Sequence, residues 1–244
     1  MASTNETGHA KNIANFQNLI DFVEGYEAVY NPSKNTLKLP QLQALLTDAN
    51  TKLADVVAKN TIHNNKVNER QAAFSDLKLL STRLINALQT TDASDELIKD
   101  AKFFNRKIQG RRASSANPTP NNPNAPTPTT ISTSQQSYTQ LIQHFAGLIE
   151  VLKSEPSYTP NETDLKITTL VAKKDALTTL NNEVSTTFVV VSNARLARNA
   201  TLYTNELNIY EIALEIKKYI KSIFGTTSPE FAQIKGIDFK KPRI

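Results

Sequence analysis

The side chains best suited to chemistry in this sequence are cations. Residues 102–112 carry Lys102, Arg106, Lys107, Arg111 and Arg112 with no acid among them. Residues 235–244 carry Lys235, Lys240, Lys241 and Arg243 against Asp238 alone. Together these two segments exceed the net charge of +5, so the remainder of the chain is mildly acidic. Arg195 and Arg198 stand at i and i+3, and Lys217 and Lys221 at i and i+4, each pair on one face of a helix. If those two helices run antiparallel, the four cations converge with Glu206 or Glu211. Planar guanidinium forks grip carboxylate or phosphate, whereas the plainer reading is a surface ion-pair network of little energetic weight. Arg106, Lys107, Arg111, Arg112, Arg195, Arg198, Lys217, Lys221, Lys240 and Lys241 are therefore the candidate partner- or anion-binding residues. Phe103, Phe104 and Phe239 lie within the basic segments. They can stack on nucleic-acid bases or simply anchor those segments to the protein.

Other chemistries find little footing. The chain has no cysteine, which removes disulfides, thiolate metal sites and cysteine nucleophiles together. Its three histidines, His9, His63 and His144, have no Glu or His partner at i+3 or i+4, so no carboxylate–histidine metal motif forms. They are too few to orient a serine nucleophile convincingly. Glycine-rich phosphate loops are absent. The reading is therefore no enzyme, no cofactor and no metal. No stretch approaches 18 apolar residues, and no apolar hairpin is present to enter lipid. The N-terminus lacks a basic and apolar leader, so a cytoplasmic protein is expected.

What must position these residues is helical. Only 39% of residues are hydrophobic, so the core has to come from thin stripes on amphipathic helices. The longest β-like run, Phe188-Val189-Val190-Val191, is too isolated to seed a sheet. Two halves of the chain resemble each other. YNPSKNTLKLPQL at 30–42 matches YTPNETDLKITTL at 158–170, with Tyr30/Tyr158, Pro32/Pro160, Leu37/Leu165, Lys38/Lys166 and Leu42/Leu170 coinciding. Arg70 and Arg198 share the same offset, while later features are displaced by seven further residues, placing an insertion near 203–209. Between the halves, residues 113–136 hold five prolines, no charge and no aromatic residue. Such a composition cannot bury enough apolar surface to fold. The fold class expected is all-α: two tandem copies of a three-to-four-helix unit, bundles of long amphipathic helices, joined by a disordered Pro/Asn/Thr-rich linker. The segments are 1–112 for the first unit, 113–136 for the linker and 137–244 for the second.

Within each unit, a first helix covers 10–29 or 136–153, with stripes such as Ile13, Phe16, Leu19, Ile20 and Val23. A second begins near Thr36 or Thr163. No Gly or Pro interrupts 41–109 or 161–224, so its end is not announced. A break at Asn60–Asn65 is one reading. The favoured one carries the helix to about residue 73, because the length difference between the copies falls just beyond and loops tolerate insertions best. A third helix carries Leu77, Leu80, Leu84 and Leu88, or Ile209, Ile212, Ile216 and Ile220, with Gly225 as its stop. A short fourth follows Ser94 or Ser228 as N-cap.

The second half, with Tyr158-Thr-Pro160, Asn193-Ala-Arg195-Leu-Ala-Arg198-Asn199, Lys217-Lys-Tyr219-Ile-Lys221-Ser-Ile-Phe224-Gly225 and Ser228-Pro-Glu230-Phe231, resembles helical-repeat proteins of Bacteroidota-type bacteria. That group has no established activity. The resemblance covers roughly 155–239 well. The first half departs by lacking the Phe-Gly stop (Gln89-Thr90) and the first arginine (Val67). It implies a bacterial origin and nothing catalytic. The function expected is a non-enzymatic structural or protein-interaction protein, an adaptor or assembly subunit that meets a protein partner or a second copy of itself. The alternative is nucleic-acid association through the basic segments at the repeat ends. No small-molecule substrate is evident.

Overall fold

A computed structural model describes residues 8–111 and 135–242. They form helices and no strand: α1 (His9–Gly25), α2 (Leu39–Phe74), α3 (Leu77–Leu88), α4 (Asp95–Gln109), α5 (Tyr138–Lys153), α6 (Ile167–Asn199), α7 (Ile209–Phe224) and α8 (Pro229–Lys235). The all-α class is as the periodicity indicated. Among the described residues, no helix is long and apolar enough to cross a membrane.

Local chemistry explains the helix ends. The hydroxyls of Ser94, Ser137 and Ser228 accept hydrogen bonds from the backbone N–H of Leu97, Gln140 and Phe231, and Asn208 Oδ1 accepts from Glu211 N–H. Each occupies an otherwise orphaned donor of a first turn. Helix α4 closes on Gly110 at φ 72°, a left-handed conformation that costs a glycine little. The polar run Asn60–Asn65 does not break α2, which spans 36 residues. Two residues separate α2 from α3, whereas residues 200–208 separate α6 from α7, including a π-helical turn at Ala200–Thr204.

The chain forms two compact units. One comprises Met1–His63 with Thr187–Ile244, the other Asn64–Thr186. This division cuts across the segments 1–112 and 137–244 expected from the sequence. The reason lies in α2 and α6. Each gives one portion to one unit and the rest to the other, because neither carries a turn signal near residue 64 or 186.

In the first unit, the core joins Ile13, Phe16, Leu19, Ile20 and Val23 of α1 and Leu42, Leu46 and Ala49 of α2 to Leu202, Tyr203, Ile209, Ile212, Ile216, Ile220 and Ile234. Here α2 and α6 run antiparallel: His63 pairs with Thr187 (3.0 Å), Asn60 with Arg195 (3.2 Å) and Asp48 with Thr201 (2.8 Å).

In the second unit, Phe74, Leu77, Leu80, Leu84, Ile85, Leu88 and Ile108 meet Phe145, Leu148, Ile149, Leu152, Leu165, Leu170 and Leu177. Its portions of α2 and α6 are also antiparallel, with Lys66 against Glu183 (3.0 Å), Arg70 against Asn181 (3.1 Å) and Asp76 against Lys173 (2.8 Å).

The Pro/Asn/Thr-rich segment lies outside the described residues except at its end. There Gln136 Nε2 donates to Lys107 O (2.6 Å) and Lys107 Nζ to Gln135 Oε1 (3.0 Å). Both flanks of the segment are thus fixed in the second unit.

Candidate functional site

The cations singled out above fall into three settings. On α6, Arg195 donates to Asn60 Oδ1, and Arg198 makes two bonds to Asn199 Oδ1 at 3.1 and 2.8 Å. Burial and the neighbouring Arg195 hold the Arg198 guanidinium below its ordinary pKa. Arg198 lies near a buried polar group that the sequence did not announce. His9 Nδ1 and the Tyr203 hydroxyl share a hydrogen bond of 3.0 Å, and Asn12 Nδ2 donates to the same hydroxyl at 3.0 Å. Burial, and then the charge of Arg198, lower the His9 pKa. Asn12 also clasps Lys240, donating to its carbonyl (2.7 Å) and accepting from its N–H (3.2 Å). Tyr203 is 1% exposed and lies in the π-helical turn Ala200–Thr204.

On α7, Lys217 is turned to structural use. Its Nζ donates to the carbonyls of Lys235 and Ile237, closing the exposed end of α8. Burial lowers its pKa. Lys217 also lies 5.9 Å from the Phe239 ring, and Lys221 lies 5.9 Å from that of Phe231. Both rings pack against the core of the first unit. The backbone of the basic C-terminal segment is thus pinned back, by Asn12 at Lys240 and by Asn15, which donates to Asp238 O (2.6 Å). The side chains of Lys240 and Lys241 remain exposed. Arg195, Arg198, Lys217 and Lys221 do not share a carboxylate partner.

On α4 the basic segment is not a tail but the last turns of a helix. Arg106 lies 5.6 Å and Lys107 4.7 Å from the Phe103 ring centroid. Arg111 follows just after the helix and is exposed; Arg112 lies outside the described residues. The three phenylalanines of the basic segments separate clearly. Phe104 packs against Gly147 and Phe239 against the first unit's core, whereas Phe103 is 41% exposed.

Among the described residues, no cluster of His, Asp or Glu could hold a metal ion. His63 is occupied by Thr187, and His144 is 5% exposed with Nε2 unpartnered. A polar cavity of about 270 Å³ in the second unit is lined by Thr90, Thr91, Ser157, Thr159, Asn161 and Glu162 among others. Its Ser157 hydroxyl donates to the Glu155 carboxylate (2.5 Å) and accepts from Asp92 N–H (3.1 Å), and Glu155 also accepts from Ser157 N–H (3.0 Å), the local bonding of a turn. Neither a protein-family model, nor a curated protein, nor a solved structure matches this chain.

One further surface stands out. On α6 within the first unit, Phe188, Val189, Val190 and Leu196 are 57%, 53%, 40% and 62% exposed. Val189 and Leu196 are two turns apart on one face, and between Thr187 and Ala197 the only charge is Arg195.

Proposed function

We propose that this chain is a non-enzymatic assembly protein built from a duplicated helical unit, and that it self-associates through the outward face of α6. The observation that carries this reading is the uncharged apolar stripe of Val189 and Leu196 flanked by Phe188 and Val190. Single exposed aliphatics are ordinary, but Val189 and Leu196 share one face and Phe188 and Val190 widen it on either side, so the exposed apolar surface is contiguous, which marks an interaction site. A face without charge offers nothing to select an acidic or basic partner. It does suit a two-fold contact with its own copy, where the same apolar patch serves both sides.

Duplication is supported by two matched geometries. Tyr30 donates to Leu37 O at 2.9 Å and Tyr158 to Leu165 O at 3.0 Å, each across seven residues and each just before a long helix. Burial is the main cause that raises both phenols, Tyr158 to about 12. The apolar stripe belongs to one copy only, since its counterpart on α2, Lys59–Glu69, is polar. Divergence of one copy is what a new interface on a duplicated scaffold requires.

Sedimentation equilibrium of the full chain across a hundredfold concentration range tests this. The chain should approach twice its monomer mass of 27.0 kDa, and Val189→Glu with Leu196→Glu should return it to monomer without loss of helical signal. A monomer at every concentration, or a dimer indifferent to both substitutions, would count decisively against it.

A further inference from the structure

We infer that α4 presents a binding surface for single-stranded nucleic acid, centred on Phe103. This goes beyond the assembly role and does not depend on it.

Lys99, Lys102, Phe103 and Arg106 recur at three- and four-residue spacing, so they share one face of α4, and all four are exposed. The opposite face is committed to the core of the second unit through Ala101 and Ile108. Lys107 and Arg111 extend the positive surface toward the end of the helix. Among the described residues none of these cations pairs with a carboxylate, although Lys66, Arg83 and Lys173 of the same unit do. Acids of the helix itself, Asp95, Glu96 and Asp100, lie toward its N-terminal end, so the positive surface is concentrated from Lys102 onward, and the sequence that follows, 112–134, adds no acid. The positive field is felt nearby: Lys107 helps hold the His144 imidazole below its ordinary pKa.

The aromatic in the middle of this field is held, not loose. Phe103 meets Phe104 edge to face at 5.4 Å. Phe104 is in turn wedged on Gly147, where a Cβ would collide with its ring. A fixed, exposed ring among unpaired cations is the combination that stacks a base while gripping its phosphates. A duplex hides its base faces and would use the cations alone. A membrane would need more than one exposed apolar side chain on the face, and an acidic peptide would have no use for the ring. The basic C-terminal segment lacks this pairing, because Phe239 is packed inward.

The test is fluorescence anisotropy with labelled 20-mers of poly(U) and poly(dT) and a duplex of equal length, at 50 and 200 mM salt. The full chain should bind both single strands more tightly than the duplex. Phe103→Ala should weaken single-strand binding by at least about fivefold and leave its salt dependence unchanged. Lys102→Gln with Arg106→Gln should lower the slope of log K against log salt by about 0.7 for each phosphate no longer neutralised. Lys240→Gln with Lys241→Gln should change neither. Absence of binding at 50 mM salt overturns the proposal. So does binding that ignores Phe103 and prefers the duplex, which is mere cation attraction. Binding of polyglutamate or anionic vesicles in place of the oligonucleotides overturns it as well.

Discussion

A histidine and a phenylalanine show how far this protein departs from what residue type alone conveys. His144 sits on α5 among the core residues of the second unit, with Nε2 unpartnered and Lys107 nearby. Burial is the main cause lowering its pKa from 6.5, and the Lys107 charge adds to it. A base whose pKa is lower folded than unfolded is neutral in the fold and takes up its proton more readily in the unfolded chain. Its contribution is therefore complete above pH 6.5 and drains away as pH falls toward the folded pKa. Urea midpoints at pH 8, 6 and 5 should fall more steeply for the natural chain than for His144→Gln. Parallel slopes would remove the role assigned to His144. His9, also held down by burial, titrates in both proteins and cancels from the comparison. In the sequence, His144 stood among three unremarkable histidines; what distinguishes it is packing, which sequence does not display. Phe103, Phe104 and Phe239 were likewise alike as letters, and only one of them is left open to solvent.

At the scale of the element, much was legible. The stripes of α1, α3, α5 and α7 follow apolar spacing, and Ser94 and Ser228 cap as their positions suggest. The run of weak helix formers at Asn60–Asn65 does not end α2, because the neighbouring portion of α6 pairs with it and outweighs propensity. The connection from α6 to α7 at residues 200–208 is longer than the two residues between α2 and α3, near the place where the shift in alignment put an insertion. Its content was not legible, since the burial of Tyr203 depends on Asn12 and His9 from α1. Gly147 is another detail only packing explains: α5 approaches α4 closely enough that Phe104 occupies the space of a side chain. Gly147→Ala should therefore destabilise the second unit by about 1–3 kcal/mol even though alanine is the better helix former. Chemical denaturation gives the answer. A neutral or stabilising change would mean that Phe104 swings aside at no cost.

At the scale of the whole molecule, similar segments in the two halves were readable, but the way the helices assemble was not. Equivalent stripes on equivalent helices are interchangeable in sequence, so spacing cannot say which copy of α1 or α5 packs on which copy of α3 or α7. The structure answers that each compact unit takes its early helices from one half and its late helices from the other. Phe16 and Leu19 share a core with Ile212 and Ile216, while Leu84 and Leu88 share one with Phe145 and Leu148. On this account the two halves depend on each other for their cores. This arrangement also explains why one copy of the long helix is free to carry an apolar outer stripe: its inner face is already satisfied by the other copy.

The interleaving is tested most directly by producing residues 1–112 and 137–244 as separate polypeptides and following helical circular dichroism against urea. Each fragment alone should show no cooperative transition, because half of each core is missing, and the equimolar mixture should recover a cooperative transition like that of the intact chain. A cooperative transition in either fragment by itself, unchanged when the other is added, would contradict this account.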